Sequence, residues 1–405
     1  MKYRIAVVTC LGKDRNYGGA LQAYALHKQF GKLGFLSELI SFSRRKTCEI
    51  TNTTALGINR FFHHPPFVIL KKGIRRIVSL PPGTIQKLKL KSFDKSGYLR
   101  QKAFDDFVKK HIPKTEVTYT KENINEVLDI YDFFVCGSDQ VWNPKWYDEF
   151  YRMDFVPNTF PKFSYAASIS VDSLTDEQQE VFENTLSSYV GVSVREKQAV
   201  ALLKDLSPVT PVHSLDPTLL LDRTDWDSIA SERLVKEPYI FCYFLDCGEK
   251  LRKLAKQYAK KKKMRVVCIP YVLNTYHKFD KKYSDIFIES ATPADFISLI
   301  KHAELVLTDS FHASVFSSIY DKEFFAFRRY GAPGMSSRIE TLTQMFGIEE
   351  RFCNTDEKET ISYMEQCVPV DFSKQDEFLR MREKSIAYLK DMLQKSEDMV
   401  KENEV

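Results

Sequence analysis

Residues 4–40, RIAVVTCLGKDRNYGGALQAYALHKQFGKLGFLSELI, read as one strand–helix–strand unit. RIAVVT is a short run of β-formers, and LGKDRNYGG is a polar turn with two glycines near its end. Residues 20–30 then place Leu21, Tyr24, Ala25 and Lys28 at helical spacing. Gly31 and Gly34 are expected to close that helix, and residues 35–40 offer a second strand.

The alternation recurs along the chain. YDFFVC (131–136) is a buried strand leading into the turn GSD, and KFSYAA (162–167) is another strand. A helix is expected over 176–188, with a short strand at 191–194. Near 216–227, DPTLLLDRTDW combines proline with clustered acids and marks a boundary. A second set follows, with strands at 239–245, 264–269, 304–308 and 323–327. Its helices fall at 248–262, 293–302 and 311–320, and a long charged helix fills 374–404.

Two such blocks predict an α/β protein with two Rossmann-like domains built on parallel sheets. The first covers 1–222 with a basic insert at about 41–115, the second 223–360, and a helical tail 361–405. In such sheets the loops after the strand C-termini face the ligand crevice. That rule decides which motifs matter.

Composition narrows the classes. Of 405 residues, 43% are hydrophobic and 28% charged, which excludes bulk disorder, collagen, coiled coil and membrane-embedded architectures. The net charge of +5 is unevenly placed: residues 41–115 hold 17 Lys/Arg against 4 Asp/Glu. None of the eight cysteines shows Cys-x-x-Cys spacing and no His cluster completes a zinc pattern, so no metal is expected and the compartment is reducing. MKYRIAVVTC passes straight into a strand without signal-peptide features, and no apolar window approaches the roughly 18 residues of a membrane span. The expected location is the cytoplasm.

Each candidate motif follows a strand. Asn16-Tyr17-Gly18-Gly19 opens the first helix, where backbone N–H groups meet anions; it is neither GxGxxG nor a P-loop. Ser138-Asp139-Gln140 emerges from YDFFVC, and Arg195 stands at the end of a strand with a donor fork suited to carboxylate or phosphate. Asp309-Ser310-Phe311-His312 joins the strand ELVLT to a helix, which sets His312 in a first turn beside an acid and a hydroxyl. Arg328 and Arg338 arrive at neighbouring strand-to-helix loops. Read as structure alone, these residues would be turns, helix caps and surface ion pairs.

In order, NYGGALQAYAL, GSDQVWNP, SVREK, LDPTLLL, ADFISLIKHAELVLTDSFHA and SSRIETL resemble the polysaccharide pyruvyl transferase family over roughly 4–40 and 130–350. The resemblance implies a fold similar to GT-B glycosyltransferases with the active site between domains. It implies transfer of the pyruvyl group of phosphoenolpyruvate to two sugar hydroxyls, giving a cyclic ketal and phosphate with no cofactor. The family's catalytic His falls on His312 and its donor-gripping Arg on Arg195. Many members carry Arg where Ser310 stands, so Arg328 or Arg338 is expected to supply that charge. His312 suits general acid and Asp139 general base.

Two other readings stay open: a GT-B glycosyltransferase using a nucleotide sugar, and a sugar- or anion-binding module without turnover. Residues 67–80, FVILKKGIRRIVSL, are basic and partly amphipathic. They suggest peripheral contact with an anionic inner-membrane face, where a lipid-linked glycan acceptor would be met. Nucleic-acid binding is not expected, because aromatics are not interleaved with the charges.

Overall fold

The computed structural model describes residues 3–11, 16–43, 95–145, 148–270, 278–329, 337–354, 357–373 and 375–403. Residues 67–80 and the GAPG loop before Arg338 lie outside the described residues.

Strands β1 (Arg4–Val8), β2 (Leu36–Phe42), β3 (Lys114–Tyr119), β4 (Phe133–Cys136) and β5 (Lys162–Ser164) form a parallel sheet in the order β3-β2-β1-β4-β5. β6 (Ser193–Val194) and β7 (Val212–His213) pair with each other, and the Phe163–Gly191 and Ala167–Val194 bridges attach them to the β5 edge. The second sheet is also parallel: β8 (Tyr239–Tyr243), β9 (Arg265–Cys268), β10 (Ile286–Phe287), β11 (Leu305–Thr308), β12 (Phe324–Phe327) and β13 (Phe352–Cys353), ordered β10-β9-β8-β11-β12-β13. In each sheet the first strand lies inside, so the order reverses beside it and opens a crevice there.

The central strands are buried at every position, as in FFVC, LVLT and FFAF, because helices cover both faces. The strands absent from the sequence reading are β3, β7, β10 and β13. Three of them have only two residues and β3 is largely exposed, so no apolar run announces them.

Helix α1 (Tyr17–Lys32) begins three residues before the expected start at Ala20. Asn16 caps it, Oδ1 accepting from the Gly18 N–H at 2.9 Å, and this places Tyr17, Gly18 and Gly19 in the first turn. Gly31 lies inside the helix rather than ending it. Helix α2 (Pro293–Lys301) starts with a Thr292–Asp295 capping box and Pro at its first turn. Helices α3 (Phe311–Ile319), capped by Ser310, and α4 (Ser337–Met345) follow β11 and β12.

Tyr17 joins the two domains. Its ring stacks on Phe296 of α2 at 5.2 Å and meets Tyr243 edge-on at 5.7 Å, while its hydroxyl donates to the Ala291 carbonyl. Full burial of such a side chain contributes about 3 kcal/mol before entropy. The final helix, α5 (Asp376–Asn403), returns to the first domain. Tyr388 donates to the Ser164 carbonyl at 3.0 Å, and the Ser385 hydroxyl accepts from the Leu215 N–H at 2.9 Å. No helix among the described residues is long and apolar enough to cross a membrane.

Candidate active site between the domains

Described residues that follow β4, β6, β7 and β11, with the start of α1 after β1, meet at the crevice, as the strand-end rule requires. Arg195 follows β6 and its side chain is 2% exposed. Nη1 donates to Asp216 Oδ2 at 2.6 Å and Nη2 to Asp139 Oδ1 at 3.2 Å. Burial opposes the guanidinium charge, but the carboxylates of Asp216, Asp139 and Glu196 outweigh it and hold the proton more firmly than usual. Both Nη groups thus face protein carboxylates, and Nε is the part of the fork with no partner.

Asp216 follows β7 and is the hub. Oδ1 accepts from the Thr218 N–H at 3.0 Å and the Thr218 hydroxyl at 2.7 Å, fixing the carboxylate at the start of a short 3₁₀ turn. Oδ2 faces Arg195 and stands 3.6 Å from His312 Nε2, an ion-pair contact longer than a hydrogen bond. Burial alone would raise its pKa; His312 and Arg195 overcome that and keep it well below the usual carboxylate range.

His312 lies in the first turn of α3, and α1 of the other domain closes over it. A Cβ on Gly18 would stand 2.0 Å from His312 Nδ1, so the imidazole occupies the volume that any other residue's side chain would need. Glycine is equally required at Gly137, with φ +118° and a virtual Cβ 2.2 Å from the Tyr165 carbonyl oxygen. That turn delivers Asp139, itself at φ +66°.

The structure divides the remaining candidates. Ser138 is fully buried, its hydroxyl donating to the Ala166 carbonyl and its N–H to Gln22 Oε1, and Gln140 is half-buried beside it. Asp309 is fully buried and accepts the Leu245 and Asp246 N–H groups at 2.6 and 2.7 Å, pinning the loop after β8. Burial raises the pKa of this carboxyl. Ser310 caps α3. Tyr17 belongs to the domain contact, and Asn16 to the α1 cap. Arg328 turns outward to Glu340, whereas Arg338 is buried over the Phe311 ring, 5.7 Å from its centroid. Burial and then the neighbouring Arg195 charge push the Arg338 pKa down to about 10.

Three participants, Asp216, Glu196 and Phe311, adjoin the cluster without having been singled out for a role in the sequence. Arg329, beside Arg328 just after β12, stands with Nε 3.7 Å from Asp309 Oδ2. Asp216 had a signal only in the LDPTLLL motif, since the strand before it, β7, was itself not legible; the others sit next to residues already singled out. Among the described residues, the buried polar atoms without hydrogen-bond partners include Arg195 Nε, Arg338 Nε, His312 Nε2 and Glu196 Oε2. Native interiors leave few such atoms, which makes this cluster a candidate docking place for a ligand with both acceptor and donor atoms.

The sequence profile of polysaccharide pyruvyl transferases matches residues 16–329, a span that includes Asp139, Arg195, Asp216 and His312. The chain belongs to the polysaccharide pyruvyl transferase family. No curated protein matches it significantly. Among solved structures it is similar to UDP-N-acetylglucosamine 2-epimerase from Rickettsia bellii, with 10% identity, TM-score 0.50 and 98% of each chain covered. It is also similar to MnaA of S. aureus, solved with UDP, with 11% identity, TM-score 0.50 and 97% of each chain covered. These likenesses establish a GT-B-type fold for this pyruvyl transferase family member, with its long C-terminal helix. Among the described residues no group of three or more His, Cys, Asp or Glu is arranged to hold a metal ion.

Proposed function

We propose that the chain transfers the pyruvyl group of phosphoenolpyruvate to two hydroxyls of one sugar in a glycan or lipid-linked glycan precursor. The observation that carries this reading is the partnerless Nε pair of Arg195 and Arg338 beside the His312–Asp216 contact. An anion-binding site and a proton donor are what this donor substrate requires in one place.

His312, when protonated, is the acid for C3, with Asp216 as its counter-charge at 3.6 Å. As C3 gains the proton, one sugar hydroxyl attacks C2. Phosphate then leaves with the C2–O bonding pair, and the second hydroxyl closes the ketal. Two hydroxyl protons are released; one balances the new methyl group and the other departs with phosphate. Asp139, beside Arg195, is the base for the hydroxyl. Arginines and helix N-termini stabilise the departing phosphate.

The test is incubation with phosphoenolpyruvate and a panel of galactosides, mannosides and N-acetylhexosaminides. A glycan mass gain of one pyruvate less one water, with equimolar phosphate, is expected. Release of a nucleotide from a nucleotide sugar, with no use of phosphoenolpyruvate, would replace this reading by glycosyl transfer. Docking of 67–80 on the cytoplasmic membrane face belongs to the same proposal. Salt-sensitive co-sedimentation with phosphatidylglycerol vesicles, lost when Lys71, Lys72, Arg75 and Arg76 become Glu, is the expected result.

A further inference from the structure

Three charge-bearing side chains of the site touch one ring. The Arg195 guanidinium carbon lies 5.1 Å from the Phe311 centroid and that of Arg338 lies 5.7 Å from it. The His312 imidazole meets the same ring edge-on, centroids 5.2 Å apart. Phe311 is itself buried, and it belongs to the first turn of α3, which Ser310 caps.

Two buried guanidinium groups repel each other. Asp216 and Asp139 neutralise Arg195 directly, whereas Arg338 Nε has no hydrogen-bond partner among the described residues and meets the charges of Glu196 and Asp139 only through space. An aromatic face is negative, and a cation within about 6 Å of its centroid is attracted, more so when water is excluded. An aliphatic side chain would fill the same volume without that attraction.

We propose that Phe311 is a positioning residue that holds the Arg195 and Arg338 guanidinium groups together as one binding site for a phosphate-type anion. Beside the carboxylates of Asp216, Asp139 and Glu196, the ring steadies both cations without adding a further negative charge against the anion. It also links the site to the acid, because ring and imidazole share the first turn of one helix. The identity of the anion as the donor's phosphate rests on the function proposed above; the site itself does not.

The test uses full-length protein and inorganic phosphate, with binding followed by calorimetry. Phe311→Leu should weaken phosphate binding roughly tenfold, the effect of losing a desolvated cation–π contact. Phe311→Tyr should stay within about twofold of the parent, since the ring survives. Should the Leu variant fail to fold, Phe311→Met removes the ring with an unbranched chain and is expected to behave likewise. In turnover, Phe311→Leu should raise KM for phosphoenolpyruvate more than it lowers kcat. A folded Leu or Met variant that binds phosphate as tightly as the parent overturns the proposal, as does a parent protein that binds none. Intact phosphate binding with no turnover of phosphoenolpyruvate would leave Phe311 in place and sink the donor reading instead.

Discussion

Asp216→Asn tests the centre of the site. The carboxylate is fully buried, 2.6 Å from Arg195 Nη1 and 3.6 Å from His312 Nε2. Asn matches its shape but has one acceptor oxygen, which serves either Thr218 or Arg195 and not both. Neutralising one partner of a buried pair costs about 3–5 kcal/mol, because the other charge is left uncompensated. Asp139 remains on Nη2 at 3.2 Å, so the low end is expected, about 3 kcal/mol out of a total of about 5–15. Urea unfolding of parent and variant at neutral pH measures the difference. The pH dependence has a fixed sign. The fold depresses the Asp216 pKa, so its stabilisation is present above the unfolded carboxylate value of about 3.9 and is lost as pH falls below it. The gap between parent and variant should therefore hold near neutrality and narrow in acid. In an Arg195→Met background the same substitution should cost less, with a coupling energy above about 1 kcal/mol. A neutral-pH gap under about 1 kcal/mol, or one that widens on acidification, would refute the hub assignment.

Further outcomes follow from single contacts. His312→Gln should keep the fold and lower turnover by about 10²–10⁴, checked by phosphate release; a variant retaining a tenth of the parent rate is not missing its acid. Gly18→Ala puts a methyl group 2.0 Å from His312 Nδ1, so the ring or α1 must move: turnover should drop more than about tenfold and stability should fall by about 1–3 kcal/mol, read as a lower urea midpoint. Arg195→Lys should weaken donor use and also lower stability, because one ammonium cannot bridge Asp216 and Asp139; equal KM and equal unfolding midpoint would contradict both roles.

The fold was legible wherever burial is complete. IAVV of β1, FFVC and LVLT are apolar because helices cover both faces of their sheets, and the strand-end rule points from the last two to Asp139 and His312. Edge strands such as β13 were hidden, since two residues carry no period. Asn16 shows a different limit: periodicity begins only where the helix face repeats, so the motif at 16–19 reads as the turn that opens the helix, not as its cap and first turn. Asp216 and Phe311 were hidden for another reason. An acid before proline reads as a turn, and a Phe beside a His reads as core, until the fold brings Arg195 to both. Arg328 and Arg338 were equivalent in the sequence; only the packing of α4 turns one inward and leaves the other on Glu340.

His312 comes from the second domain and Asp216 from the first, so their 3.6 Å contact depends on how the two domains pack. Three features hold that packing. Tyr17 anchors α1 among Phe296 and Tyr243, and the missing Cβ of Gly18 lets α1 close onto the imidazole. The third is remote in sequence. Leu215, next to Asp216, is gripped at both its backbone groups: Tyr165 donates to its carbonyl at 3.0 Å and the Ser385 hydroxyl of α5 accepts its N–H at 2.9 Å. The C-terminal helix therefore reaches Asp216 through the residue before it. Its return to the first domain sets the position of the carboxylate on which both Arg195 and His312 depend.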